Sequence, residues 1–143
     1  KLNYILLYIL ALCIAIVVFL TGKRFVQRDK KVKAQRLALK KALQQLKQCD
    51  SFIRNNQNNK FYESLSETIL NYLIQRFNFK KAELSKQQIE ECLTNQQIEG
   101  EVIRRLLKVI DECEFAKFAP AKDEGGLKDI LNETTDVLKL VDK

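Results

Sequence analysis

The hydrophobic positions of the chain form one long uninterrupted run near its start and several periodic stripes after it. Residues 2–20 contain no charged side chain and only one strongly polar side chain, Asn3. At about 1.5 Å of rise per residue this run makes a helix of roughly 28 Å, close to the ~30 Å hydrocarbon core of a bilayer. The pattern predicts a transmembrane helix over residues 1–22. A signal peptide is the alternative, but its positive charge would precede a shorter apolar core, whereas here the charge follows.

A looser stripe lies in the basic segment from residue 23 to residue 48. Its apolar positions recur with a period of about 3.6 residues, and no residue in the segment breaks a helix. We therefore expect the first helix to continue as an amphipathic stalk, with Gly22 as the candidate position for a bend. The apolar positions of this stripe are Val32, Leu39, Ala42, Leu43 and Leu46, with Leu37 and Ala38 beside them.

The most regular stripe of the chain follows an Asn-rich stretch. Residues 51–60 are poor in helix formers and predict a loop. From Phe61 to Phe77, apolar residues then follow helical spacing over more than four turns, so we expect a central amphipathic helix there. An antiparallel hairpin with the end of the stalk would remove both stripes from water.

Three further helices complete the prediction after a connector at residues 78–84. The first begins at Ser85, which has the capping-box spacing with Gln88. The second ends before Pro120, because proline cannot continue a helix. The predicted limits are an end near Asn95 for the first helix, Val102–Cys113 for the second, and Leu127–Val141 for the third, after a hinge-like turn at residues 123–126.

Composition agrees with an all-α fold. The chain has 4 Gly and 1 Pro, and no segment alternates apolar and polar residues as a strand would. We predict one transmembrane helix (1–22), a basic stalk helix (23–48) and a small cytoplasmic helical bundle (49–143). TPR-like hairpins are an alternative arrangement, although the chain lacks the self-similarity at about 34 residues that a repeat array requires.

The charge of the chain is concentrated next to the apolar run. Residues 23–48 contain ten Lys or Arg and one Asp, whereas residues 49–143 sum to −3. Positive flanks stay in the cytoplasm, and anionic lipid headgroups attract each such side chain by about 1 kcal/mol. Nucleic-acid binding is not expected, because residues 26–48 contain no aromatic residue for base stacking. The candidate lipid contacts are Lys23, Arg24, Arg28, Lys30, Lys31 and Lys33.

Candidate chemistry is sparse. The chain has no His, which removes the commonest general base, and it has no Gly-rich phosphate loop. Its four cysteines form no C-x-x-C pair, so neither a metal site nor a cofactor is expected. These features predict a non-catalytic protein. A redox role for Cys49 or Cys113 is the alternative, because basic neighbours can favour a thiolate.

One segment, Asp111–Pro120, is more specific than helix packing requires. Phe115 and Phe118 lie one helical turn apart near the predicted end of a helix, and Glu114 and Lys117 share another face. The aromatic pair either fixes the following loop to the core or forms an edge that docks a partner. The candidate partner-binding residues are Cys113, Glu114, Phe115, Lys117, Phe118 and Pro120.

This segment resembles the C-E-x-A-K/R-F-A-P element in the cytoplasmic tail of BatD-type bacterial oxygen-tolerance proteins. The resemblance covers roughly residues 2–140 and also includes Phe61-Tyr62-Glu63-Ser64-Leu65, Tyr72-Leu73, Phe77 and Glu83-Leu84-Ser85. It implies a role in aerotolerance or envelope stress. It also implies MoxR-type AAA+ ATPases and von Willebrand factor A-type membrane proteins as partners, together with large β-rich extracytoplasmic domains before the span.

We therefore expect the tail of a longer, single-pass protein of the bacterial inner membrane, with its C-terminal domain in the cytoplasm. The absence of an initiator Met at Lys1 agrees with this expectation. The expected function is a non-catalytic protein-interaction module of a Bat/MoxR-type complex. A cysteine-based redox-sensing regulator is the alternative.

Overall fold

The computed structural model describes residues 2–80, 84–116, 118 and 123–143, and no strand occurs among them. In the first helix, the side chains of residues 2, 3, 6, 7, 17 and 20–31 lie outside the description. The described helices are α1 (Leu2–Arg54), α2 (Asn58–Phe77), α3 (Lys86–Asn95), α4 (Gly100–Phe115) and α5 (Glu124–Val141). The predicted all-α class is confirmed.

The chain divides into two compact units, residues 1–34 and residues 35–143, and α1 contributes to both. In the part of the chain that the structure describes, no helix has both the length and the hydropathy needed to cross a membrane. The membrane span predicted over residues 1–22 therefore stays a prediction. Of the candidate lipid contacts, Lys33 is exposed, and the side chains of the other five lie outside the described residues.

In the second unit, α4 packs against α2, α3 and α5. Its broad apolar surface includes adjacent positions such as Val102 and Ile103 and therefore reaches several neighbours. The sequence pattern placed α2 at the centre, and α2 also contributes a row of buried side chains to this core. The buried residues of α4 are Val102, Ile103, Leu106, Val109, Ile110 and Cys113.

The last turns of α1 contribute a buried stripe to the same core. This stripe confirms the C-terminal part of the predicted one and extends it to Ile53. The prediction is wrong for Val32, which is exposed, and Leu37, which lies beside the predicted stripe, is exposed as well. Leu37 lies about 100° around the helix from the buried Ala38, so it falls on a different face. The buried residues of α1 are Ala38, Ala42, Leu46, Cys49 and Ile53.

The loop predicted at residues 51–60 is shorter in the structure, where only residues 55–57 separate α1 from α2. Phe52 and Ile53 pack in the core, and their burial extends α1 to Arg54, into the first residues of the predicted loop. Asn56 then adopts a left-handed conformation with φ 52°, and its N–H donates to the Ile53 carbonyl at 3.1 Å. This arrangement ends α1, and asparagine is one of the few residues that tolerates it.

Side-chain caps begin α3 and α5. The predicted capping box is confirmed, because the Gln88 N–H donates to Ser85 Oγ at 3.2 Å and the Ser85 N–H donates to Gln88 Oε1 at 3.4 Å. The turn predicted at residues 123–126 is instead the first turn of α5. Asp123 is the N-cap of α5, and its carboxylate accepts from the Gly126 N–H at 3.1 Å. The cap outweighs the low helix propensity of the two glycines.

Candidate partner-binding site

The aromatic pair of the segment Asp111–Pro120 lies at the end of α4 and is exposed. The helix ends at Phe115, and the Phe118 N–H donates to the Phe115 carbonyl at 2.9 Å. The Phe115 side chain is 71% exposed, and the Phe118 side chain is 90% exposed. Neither ring is buried in the core.

The other candidate residues of the segment occupy different environments. Cys113 is buried in the core, so its side chain does not contribute to the exposed surface. Glu114 is exposed. Lys117 and Pro120 lie outside the described residues. The expected pairing of Glu114 with Lys117 therefore stays a prediction. The expected helix stop at Pro120 is wrong, because α4 already ends at Phe115.

Glu114 takes part in a charge cluster that the sequence pattern did not indicate. Lys86 Nζ contacts Glu114 Oε2 at 2.8 Å and also pairs with the Asp111 carboxylate. Hydrogen bonds to the carboxylates of Asp111 and Glu114 raise the pKa of Lys86, and the bond to Asp111 has the larger effect. The cluster connects the first turn of α3 to the last turns of α4. No local sequence signal could reveal it, because the partners belong to different helices.

A groove of about 1090 Å³ lies between α2 and the adjoining ends of α3 and α4. We call it the α2–α4 groove. Large apolar side chains from α2, α3, α4 and the segment before α3 line it, which is typical of binding surfaces. Its aliphatic lining consists of Leu70, Ile74, Leu84, Ile89, Ile110 and Ala116.

The polar lining of the α2–α4 groove is acidic. Glu63 and Glu67 lie one turn apart on α2, are exposed, and form no ion pair within the described part of the chain. Lys86 is the basic residue of the described lining, and two carboxylates, those of Asp111 and Glu114, already oppose its charge. The groove thus combines apolar walls with two carboxylates that lack a described cationic partner.

The cysteines that could support a redox role do not form a pair. Cys13, Cys49, Cys92 and Cys113 are all free thiols. Cys49 is buried, and its thiol donates to Ser64 Oγ at 3.4 Å. Burial raises the pKa of Cys49, which favours the unreactive protonated form. Within the described ranges, no three potential metal ligands cluster.

No family model, curated protein or solved structure matches the chain. The resemblance to BatD-type proteins therefore stays a prediction from the sequence motif.

Proposed function

We propose that this protein is a non-catalytic, membrane-anchored interaction module of a Bat/MoxR-type aerotolerance or envelope-stress complex. The observation that carries the proposal is the exposure of Phe115 and Phe118 at the end of α4. A large aromatic ring is less favourable in water than when it is buried, and aromatic residues are enriched at protein–protein interfaces. The assignment to a Bat/MoxR-type complex rests on the sequence resemblance.

The start of α1 supports the membrane anchor. Residues 8–16 are exposed without interruption, so apolar side chains point outward around the whole helix. A helix that is apolar on every side is typically buried in protein or lipid. We propose that residues 1–22 cross the bacterial inner membrane once and that residues 23–48 form a basic stalk helix on the cytoplasmic side, which contacts lipid headgroups through its first basic residues. The exposed large apolar residues of α1 are Tyr4, Ile5, Tyr8, Ile9, Leu10, Leu12, Ile14, Ile16, Val18 and Phe19 in this region.

Alkaline extraction of membranes tests the anchor. Wild-type protein should stay with the membrane pellet, whereas Ile9→Lys/Ile14→Lys should be released, because each lysine costs about 2.5–3.5 kcal/mol at the centre of a span. Phe118→Lys is the matched control and should stay in the pellet. Release of the wild type at alkaline pH would rule out an integral anchor.

Co-purification from solubilised membranes tests the docking edge. Tagged wild-type protein should recover the MoxR-type ATPase or the von Willebrand factor A-type protein, and Phe115→Ala/Phe118→Ala should reduce that recovery. The control variant Glu90→Gln/Asp129→Asn alters two exposed carboxylates outside the docking edge and should behave like wild type. Equal recovery by the Phe variant and the wild type would contradict the proposal.

The redox-sensor alternative stays a prediction, and the burial of Cys113 does not favour it. A sensor thiol has to reach the oxidant, and redox-sensing cysteines are typically solvent-accessible.

A further inference from the structure

We propose that the α2–α4 groove binds an amphipathic helix of a partner protein that carries Lys or Arg beside its apolar row. The inference deepens the proposed function, because it names the chemistry of the partner segment. It concerns a surface of α2, α3 and α4 that is separate from the two exposed rings.

The wall that α2 contributes has the dimensions of a helix-binding surface. Tyr62, Ser66, Leu70 and Ile74 line the groove at a spacing of four residues, which places them along one side of α2. The row is about 18 Å long, the length of a helix of about 12 residues. The buried Ile89 and Ile110 contribute to the lining from α3 and α4. Apolar grooves of this length accept one face of an amphipathic helix.

The negative charges of the α2–α4 groove favour a partner helix with positive side chains. Glu63 and Glu67 each follow a member of this α2 row by one residue and are also four residues apart, so they lie along the groove. They have no ion-pair partner among the described residues, and the Lys86 charge is already opposed by Asp111 and Glu114. A helix with basic side chains one turn apart would pair with both free carboxylates. An acidic helix would be repelled.

The test measures binding of two synthetic peptides to the full chain in a neutral detergent. The first is a helix-stapled peptide of about 14 residues with a leucine row flanked by lysines, stapled because free helices of this length are marginal in water. The second has glutamates in place of the lysines. Fluorescence anisotropy should show saturable binding of the lysine peptide and at least tenfold weaker binding of the glutamate peptide, because like charges oppose it.

Two variants locate the binding site. Glu63→Gln/Glu67→Gln should weaken the lysine peptide about three- to tenfold and reduce the salt dependence of its affinity. Leu70→Asp should abolish binding of both peptides while the far-UV circular dichroism spectrum stays unchanged. The matched control Glu90→Gln/Asp129→Asn removes two exposed carboxylates outside the groove lining and should leave affinity unchanged.

Several results would overturn the inference. They are equal affinity for the two peptides, an equal effect of the groove and control variants, and self-association through Glu63 and Glu67, which would make a second copy the occupant.

Phe115→Ala/Phe118→Ala should bind the lysine peptide normally. If that variant loses the native complex while groove variants retain it, the groove inference fails and the docking edge stands. The reverse pattern supports the groove and removes the edge.

Discussion

Removal of the exposed aromatic rings should leave the fold almost unaffected. Complete burial of a Phe side chain contributes about 1.5–3 kcal/mol. Phe118 is 90% exposed and Phe115 is 71% exposed, so folding withdraws about a tenth and about three tenths of their surfaces from water. At ~2 kcal/mol for complete burial, their contributions to the free energy of unfolding are about 0.2 and 0.6 kcal/mol. Most of the free energy that these rings could gain from burial is still available to a partner.

Phe61 provides a matched control within the same chain. Its ring is fully buried and contacts the Tyr62 ring edge-on, with 5.2 Å between centroids. Phe61→Ala should cost about 3–5 kcal/mol, because it removes buried surface and leaves a cavity. At about 4–8 °C per kcal/mol for a domain of this size, Phe61→Ala should lower the Tm by at least ~12 °C. Phe118→Ala should lower it by less than ~2 °C.

Thermal and urea denaturation of the full chain, followed by far-UV circular dichroism in one detergent, would measure both variants. A decrease in Tm for Phe118→Ala comparable to that for Phe61→Ala would refute the reasoning. It would mean that the ring fixes the following loop to the core. A small decrease in Tm together with lost co-purification would show that the ring acts at an interface.

The remaining predictions concern an ion pair, two thiols and a helix start. Arg105 donates to both Glu133 carboxylate oxygens, at 2.7 and 2.9 Å, and lowers the Glu133 pKa from its usual 4.5. Its stabilisation is therefore complete above pH 4.5 and lost as pH falls through the lowered pKa. Glu133→Gln should reduce the pH dependence of the urea unfolding midpoint below pH 4.5. An unchanged pH dependence would contradict the ion-pair assignment. Native Cys49 and Cys113 should resist iodoacetamide before and after peroxide treatment, because both are buried. Mass spectrometry that found Cys113 labelled in the folded protein would revive the redox alternative. Gly125→Ala should raise the free energy of unfolding by about 0.4–1 kcal/mol, because its backbone is helical and the added Cβ meets no atom closer than 3.7 Å. A lower Tm would indicate that residues 123–126 adopt the predicted turn and not the first turn of α5.

Much of the helical fold could be predicted because its signals are local. A stripe of apolar residues at helical spacing predicted α2, α4 and α5. The Ser85–Gln88 capping box depends on residues three positions apart, so it was also visible in the sequence and is present in the structure.

Local signals failed where burial decided the outcome. The Asn-rich stretch has low helix propensity, but packing of Phe52 and Ile53 in the core extends α1 through its first residues. Conversely, Val32 belongs to the predicted apolar stripe and is exposed. Propensity is a weak term, and tertiary contacts override it.

The candidate site was only partly predictable. The motif indicated Phe115, Phe118 and Glu114, but it also indicated Cys113, which lies in the core. The acidic lining of the α2–α4 groove did not emerge from the motif. Glu63 and Glu67 look like ordinary solvent-facing residues of an amphipathic helix until α3 and α4 are placed beside them.

The sequence by itself determined the helical class, the helix start at Ser85 and the position of the charge along the chain. These properties depend on residues within one or two turns of each other. Tertiary structure alone decided that Lys86 pairs with Glu114 and that two aromatic rings stay in water. It also decided that an acidic groove forms between helices. The physical reason is that burial and charge pairing depend on which faces of distant helices meet, and no local pattern encodes that choice.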